Sequence, residues 1–410
     1  MSSDPQPRER RGSQFAARSP IGPRGLIDVR RQNLTRVLGE IRDRPGVTRK
    51  DLVSLTSLNR VTVLDLVAEL QEQRLVDESP AQSTGRSGRP AMTLSLDDQR
   101  LAVAALEINI DRIRIRCTTL RLRSLHDESV PVSGGSLDPE RVLDLAAECI
   151  DRARSEMARQ GLELTRVSVG LPAIIDHRSG TVQTSLDFRW GEVPVVDRLQ
   201  QRTGGDLSFT LDRLANLAIR EERSVAGLRP DSGVVLLFGG MGVGGAFQKG
   251  DVILRGDTGI GAEFGHISVD PEGPECYCGG RGCLEMYVGI RPLAAVLGIG
   301  AGEGAAGGEE ILAQISADDP DAREAVRAQA PWLARAVRIL RTVFDPTAVV
   351  LGGHLADLAR LMDSALVDAM AIHGGGGGGE LRISTAGGDA VLAGGVRAAR
   401  DQLLAAPWES

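Results

Sequence analysis

The chain has 410 residues, of which 42% are apolar and 25% charged, as is ordinary for a globular protein of two or three domains. No run of about 18 uninterrupted apolar residues occurs, which argues against a membrane span. The net charge is −7, yet residues 1–90 carry 16 basic and 11 acidic side chains. A basic segment on an acidic body favours contact with a polyanion, although a charged, solvated surface explains it equally.

The first 25 residues are polar and rich in proline and arginine, and we predict that they form a disordered arm. The segment lacks the apolar core of a signal peptide, so the expected location is the cytoplasm.

Three helices are predicted next, over 30–43, 49–56 and 60–73. Thr48 and Asn59 are suited to cap the second and third helices. Two short helices joined by a tight turn and preceded by a longer helix are typical of a helix-turn-helix, although any small helical bundle has the same pattern.

Residues 75–80 and 91–96 are predicted to pair as strands around the exposed tip of a wing, in which Arg86 and Arg89 lie. This basic hairpin favours DNA binding over a plain bundle.

The third helix would enter the major groove with its first residues against the base edges. Asparagine suits adenine and arginine suits guanine, and the chain has only two lysines, so its basic character comes from arginine. For any single arginine, simple solvent exposure is an equal alternative. The predicted DNA-contacting residues are Arg49, Lys50, Asn59, Arg60, Thr62, Arg86 and Arg89.

From about residue 100, apolar β-type runs alternate with amphipathic helices, which predicts a layered α/β domain. Predicted strands include 101–110, 113–120, 166–172, 234–240 and 348–353, and predicted helices include 138–159 and 331–344.

Three of the five cysteines lie within eight residues, at Cys276, Cys278 and Cys283, and His266 precedes them by ten residues. Three thiolates and one imidazole form a closed tetrahedral Zn²⁺ site, which is structural because no position remains for water. Three free buried cysteines are the alternative. Cys117 and Cys149 are predicted to be ordinary core residues.

The sequence from Gly265-His266 to Cys276-Tyr-Cys-Gly-Gly-Arg-Gly-Cys283-Leu-Glu285 resembles the zinc signature of the ROK family, named for repressors, open reading frames and kinases. Further similarities are VGLPAIID at 169–176, LFGGMGVGGAFQKG at 237–250 and VVLGG at 349–353. The resemblance is to the winged-helix repressor branch, which includes xylose and N-acetylglucosamine-type repressors.

The resemblance implies an α/β fold in which an N-terminal winged helix-turn-helix is followed by an actin/hexokinase-like duplicated α/β domain with sugar bound between its lobes. We therefore expect an arm over 1–25, the winged helix-turn-helix over 26–96 and a ROK sensor over 97–410. Within the sensor, lobe 1 would span about 97–209 plus the C-terminal helix, and lobe 2 about 210–392.

The resemblance also implies that the zinc-ligating His266 faces the sugar and that Glu263 and Glu285 bond its hydroxyls, which both donate and accept. For Glu285, a charge at a helix N-terminus is the alternative role.

Two departures argue against catalysis. ROK kinases carry an Asp-x-Gly-Gly-Thr phosphate turn, where this chain has Glu107-Ile-Asn109-Ile-Asp111. Their catalytic Asp lies in an Asn-Asp-Ala-Asn motif, where this chain has Leu214, which cannot accept a proton. The sequence therefore predicts a protein without enzymatic activity.

Arg213 replaces the first Asn of that motif and Asp187 stands where an Asn is usual, so the effector is expected to be unusual. One hypothesis is a phosphorylated or acidic sugar paired with Arg213, and another is that the cleft no longer binds sugar.

The sequence therefore predicts a transcriptional regulator of carbohydrate-related genes, a homodimer or homotetramer that binds a double-stranded DNA operator and a sugar or sugar-derivative effector. One alternative is an active ATP-dependent sugar kinase with an appended DNA-binding domain. Another is a zinc-stabilised interaction protein whose N-terminal helices bind protein.

Overall fold

A computed structural model describes residues 23–81, 91–132, 137–298, 313, 320–374 and 379–407. Its helices are α1 Pro23–Asp43, α2 Arg49–Thr56, α3 Arg60–Glu72, α4 Pro139–Arg159, α5 Val195–Thr203, α6 Leu214–Val225, α7 Glu285–Val288, α8 Ile290–Val296, α9 Pro320–Arg327, α10 Ala330–Phe344, α11 His354–Met362, α12 Ser364–Gly374 and α13 Ala390–Ala405. Among these helices, none combines the length and apolar character that crossing a bilayer requires.

The strands fall into two larger sheets and two hairpins. They are β1 Val76–Pro80, β2 Met92–Leu96, β3 Leu101–Ile108, β4 Arg112–Thr119, β5 Ser124–Pro131, β6 Glu163–Leu171, β7 Ile174–Asp176, β8 Thr181–Thr184, β9 Ser208–Arg213, β10 Gly233–Gly239, β11 Val243–Lys249, β12 Val252–Ile253, β13 Ala348–Gly353 and β14 Glu380–Ile383.

The predicted N-terminal elements form three helices followed by the β1–β2 hairpin. Helix α1 begins at Pro23, seven residues before the predicted start, because proline suits the first helical turn, where its missing N–H costs no bond. The predicted capping of α2 is present, since the Thr48 hydroxyl accepts from the N–H of Asp51 and the Asp51 carboxylate accepts from the N–H of Thr48. Arg86 and Arg89 lie outside the described residues.

Both large sheets have the same strand arrangement. In the first sheet the order is β5-β4-β3-β6-β9, and in the second it is β12-β11-β10-β13-β14. In each, three antiparallel strands are followed by two parallel strands. This repetition confirms the predicted duplicated α/β fold, whereas the domain boundaries proposed from the sequence stay a prediction.

The hydrophobic core links the N-terminal helices to the body. Leu38 and Leu66 belong to the same buried cluster as Val103 of β3 and Leu403 of α13. A covered apolar surface of this kind fixes the N-terminal unit against the rest of the chain, because separating the two would expose it to water.

Candidate functional site

Four potential metal ligands converge on one point. The donor atoms of His266, Cys276, Cys278 and Cys283 all lie within 4.8 Å of one another. His266 Nδ1 is 3.7 Å from the sulfur of Cys276, and the sulfurs of Cys278 and Cys283 are 3.6 Å apart. Two thiolates bound tetrahedrally at ~2.3 Å would be about 3.8 Å apart, so the donor set fits one Zn²⁺.

The loop that carries the three cysteines is held in place by its backbone. Residues Ser268 and Cys283 form one β-bridge, and Glu275 and Arg281 form another. Gly282 has φ +63°, and a Cβ there would lie 1.5 Å from the carbonyl oxygen of Asp270. Only glycine therefore fits this turn, and the turn sets the position of the neighbouring Cys283.

The two remaining cysteines do not reach this cluster. Cys117 lies in β4 and Cys149 in α4, and both are buried. Burial raises the pKa of Cys117 to about 12 and that of Cys149 to about 11, so both stay protonated thiols at neutral pH. This placement agrees with the core role predicted for them.

Beside the thiol cluster lies a cavity of about 470 Å³ between the two sheets. The five predicted effector-binding residues all line it, although they come from segments far apart in sequence: Glu263, His266, Glu285, Arg213 and Asp187. Sequence reasoning did not assign Asn109 and Tyr277 to the wall, because Asn109 was considered only as part of the altered phosphate turn and Tyr277 only as a residue between two thiol ligands. The cavity is large enough for a monosaccharide, and its polar groups match hydroxyls that both donate and accept.

Glu285 enters this cavity at the start of α7, directly after the cysteine loop. Its side chain is buried, and one carboxylate oxygen accepts a 2.8 Å hydrogen bond from the N–H of Val243. A Cβ at Gly242 would lie 2.6 Å from that carboxylate, so the glycine turn lets it approach. Burial raises the pKa of Glu285 to about 7.

Arg213 is already neutralised within the cavity wall. Its guanidinium forms an ion pair with Glu263 and donates to the carbonyl oxygen of Gly261. Asp187 is paired with Arg291 at 3.1 Å. An acidic ligand that bound Arg213 would therefore have to compete with Glu263, which weakens the hypothesis of a phosphorylated effector.

A second cavity of about 420 Å³ adjoins the first, and Leu214 lines both. The side chain at the junction of the two cavities is therefore aliphatic. The three arginines of the second cavity are paired with carboxylates: Arg112 with Asp111, Arg114 with Asp389 and Arg360 with Asp357. These ion pairs leave less positive charge for a phosphate group than unpaired arginines would.

Glu107 is buried in the wall of this second cavity. Burial raises its pKa to about 7, although Arg114, 3.6 Å away, opposes the shift. A carboxyl whose folded-state pKa lies above its unfolded value stabilises the fold at low pH, and this contribution is lost as the pH rises through the folded pKa.

We expect Glu107→Gln to remove this pH dependence. Between pH 5 and pH 8, the stability of the wild type relative to the variant should fall by up to about 3 kcal/mol. Urea denaturation followed by tryptophan fluorescence at both pH values measures this difference. A difference that is constant with pH would show that Glu107 is ionised throughout.

His354 connects the glycine turn to α7 and was not anticipated from the sequence. Its ring is buried, with Nδ1 2.8 Å from the carbonyl oxygen of Gly240 and Nε2 3.1 Å from that of Val288. Burial lowers the pKa of His354, so the ring is neutral and donates to one of the two oxygens at a time. In the sequence, the only indication of this contact is that a histidine directly follows the VVLGG strand.

The predicted DNA-contacting residues divide into two groups. Lys50 and Arg60 are exposed, and Thr62 is partly exposed at the start of α3. Arg49 instead donates to Glu78 at 2.6 Å, bridging α2 and β1. The carboxamide oxygen of Asn59 accepts from the N–H of Thr62 at 2.9 Å as the cap of α3. A bidentate contact of Asn59 with adenine would break this cap. The DNA contacts of all the residues named in this paragraph stay predictions.

Comparison with known proteins places this geometry in a family. The ROK family model matches residues 103–373. A glucokinase of Streptomyces coelicolor is 29% identical over 53% of this chain and 72% of its own length. The DNA-binding transcriptional repressor Mlc of Escherichia coli is 25% identical over 84% of this chain and 87% of its own.

A solved structure shares the fold over most of the chain. It is a ROK family transcriptional regulator described as a homologue of the E. coli Mlc protein, with a TM-score of 0.75 and 20% identity. The match covers 92% of this chain and 97% of that one. At this identity the likeness shows the fold alone.

Proposed function

The chain belongs to the ROK family, and from this membership we propose that it is a DNA-binding transcriptional repressor of carbohydrate-related genes. The extent of the match with the E. coli repressor carries the proposal. That match covers 84% of the chain. Residues 97–410 are only about three-quarters of the chain, so the match extends into the N-terminal helices. The glucokinase match covers 53%.

In this proposal α3 lies in the major groove and the β1–β2 hairpin is the wing. The exposed Lys50 and Arg60 contact phosphates and bases. A homodimer or homotetramer presents two such units to a double-stranded operator with half-sites about 34–36 Å apart or a multiple of that spacing.

The ROK part is the sensor. His266 and the three cysteines would hold a structural Zn²⁺, which when bound fixes the loop that leads into α7 and Glu285. The adjoining cavity binds the effector, a sugar or sugar derivative. Because Arg213 is paired with Glu263, a neutral polyhydroxyl ligand suits the cavity better than a phosphorylated one.

The proposed sensor is not a catalyst. Leu214, at the junction of the two cavities, has no proton acceptor. Glu107 and Asp111 line the half of the cleft where phosphates would be held, and the Asp111 carboxylate neutralises Arg112 there, so little positive charge is left for a phosphate.

DNA binding by the full-length chain tests the proposal. We expect a shift of duplexes taken from upstream of its own gene, with an affinity that falls steeply as salt rises. Arg60→Ala should weaken specific binding by about 5- to 150-fold, equivalent to the ~1–3 kcal/mol of a guanine contact. Arg338→Ala, an exposed arginine on α10, is the matched control. Equal affinities of both variants and the wild type would reject Arg60 as a reader.

The second candidate is a sugar kinase, which the 29% identity to a glucokinase favours. An ADP-release assay with ATP and a panel of sugars distinguishes the two functions. We expect no sugar-dependent ADP, since loss of a catalytic base alone costs roughly 10²- to 10⁴-fold. Turnover at kinase-like rates without DNA binding would overturn the repressor proposal.

A further inference from the structure

Helix α3 has one buried face and one free face. The buried face is formed by Val63, Leu66, Val67 and Leu70. The free face runs along the helix at helical spacing through the exposed residues Val61, Asp65, Ala68 and Glu72. At the N-terminal end, which a helix-turn-helix inserts deepest into the groove, this face presents an aliphatic and an acidic side chain.

Val61 is 67% exposed, although it belongs to a helix whose other valines are buried. A β-branched side chain at an exposed position of a helix adds neither helix propensity nor core packing. Its placement therefore contributes nothing evident to folding.

Asp65 lies one turn beyond Val61 and is exposed, with no ion pair or hydrogen bond to any side chain in the described ranges. A carboxylate on a surface that faces DNA is repelled by phosphates unless it accepts a hydrogen bond from a base. Two of the polar residues predicted to read bases or phosphates nearby are already engaged, Asn59 in the helix cap and Arg49 in the ion pair with Glu78. On α3, the residues left for base recognition are Arg60, Thr62 and those of the free face.

We propose that Val61 and Asp65 determine the operator sequence by reading pyrimidine edges in the major groove. Val61 packs against the C5-methyl group of a thymine, the one apolar group that a base exposes there, and Asp65 accepts from the N4 amino group of a cytosine. This inference rests on the DNA-binding function proposed above.

The spacing of Val61 and Asp65 along α3 predicts the spacing of the two bases that they contact. Four residues of helix rise about 6 Å, and successive base pairs are about 3.4 Å apart. If α3 lies along the groove, the thymine and the cytosine are therefore about two base steps apart in each half-site.

The test starts from operators that the full-length wild type selects from a pool of random duplexes. Each thymine of the selected operator is then replaced by deoxyuridine, which removes only the methyl group. At one position per half-site we expect the affinity of the wild type to fall roughly fourfold, the effect of one buried methyl-sized group. Val61→Ala should bind the thymine and uracil duplexes equally.

Val252→Ala provides the matched control, because Val252 is 73% exposed on β12, outside the N-terminal helices. It should retain the full uracil sensitivity of the wild type. Both substitutions are at the surface, so both variants should keep the melting temperature of the wild type.

Asp65→Asn tests the second contact, because asparagine pairs with adenine rather than cytosine. Selection with this variant should replace the cytosine by adenine at the position about two steps from the methyl-sensitive thymine. If the wild type binds selected DNA but tolerates every uracil, or the Asp65→Asn variant selects the same operator, the inference is overturned. If the wild type selects no DNA at all, the function proposed above is itself wrong.

Discussion

Cys283→Ser is expected to abolish binding of the Zn²⁺ proposed for the thiol cluster and to destabilise the ROK part by more than about 4 kcal/mol, the range associated with loss of a structural metal. Cys283 is 2% exposed, so the serine hydroxyl would be buried without the metal bond that a thiolate makes there. At about 2 °C per kcal/mol for a domain of this size, the melting temperature should fall by at least about 8 °C.

The expected damage is not confined to the loop. Cys283 is followed by Leu284, which is fully buried, and by Glu285, which reaches the cavity proposed to bind the effector. The carbonyl oxygen of Val288, at the end of the same short helix, faces His354. A loop released from its metal would therefore loosen the effector cavity, and effector affinity should fall together with stability.

Metal content by atomic emission spectroscopy and thermal unfolding together measure this prediction. The wild type should contain one zinc per chain and Cys283→Ser none. Cys149→Ala is the control, because Cys149 is also buried but lies in α4, away from the cluster. It should keep its zinc. A Cys283→Ser protein that still carried one zinc per chain would show that the metal is held elsewhere.

The sequence predicted those features that depend on local patterns. The α2 and α3 helices follow from their caps at Thr48 and Asn59 and from one apolar face each, and the thiol cluster follows from the cysteine spacing. Such patterns lie within a short stretch of sequence, so they can be recognised without knowledge of tertiary contacts.

Features that depend on distant partners could not be predicted from those patterns. The sequence suggests that Arg213 is free to bind an anion. In the fold, the carboxylate of Glu263, fifty residues away along the chain, neutralises the charge of its guanidinium. The sequence predicts that Arg49 contacts phosphate, a prediction that stays open, but it gives no sign of the ion pair that Arg49 forms with Glu78 of β1. His354 is an ordinary helix residue by sequence, and its two carbonyl neighbours come from segments more than sixty residues away. Only the fold decides such pairings.

Helix α13 connects the cleft to the N-terminal helices. Just before the helix begins, Asp389 pairs with Arg116 at 2.9 Å and with Arg114, which lines the second cavity. Farther along, the helix packs closely on α6, since a Cβ at Gly394 would lie 1.8 Å from the carbonyl oxygen of Leu217. An effector that moved the lobes, as proposed above, would therefore act on α13 from both sides.

At its other end α13 is part of the N-terminal core. Leu403 is fully buried in the cluster that also contains Leu38 and Leu66, and the hydroxyl of Thr35 donates to the carbonyl oxygen of Ala405 at 3.2 Å. A change in the position of α13 must therefore be transmitted to α1 or must break this packing, because close-packed side chains do not deform gradually.

We expect Leu403→Ala to weaken the packing between α13 and the N-terminal helices, so that these helices open more readily than the rest of the protein. Removing a buried leucine side chain costs about 2–5 kcal/mol, here at the contact between α13 and the N-terminal helices. Amide exchange in α1 should accelerate, while exchange around the cysteine loop should not change. DNA affinity should fall, because the two DNA-binding units of an oligomer would no longer be held at a fixed spacing.

Leu340→Ala separates this effect from general destabilisation. Leu340 is 1% exposed in α10 and belongs to the core of the second sheet, so the same truncation should cost a similar free energy there. Exchange in α1 should then keep its wild-type rate. If both variants accelerated α1 equally, α13 would be one part of a single cooperative core rather than the connection between effector cleft and operator, and the coupling would have to run through β3 instead.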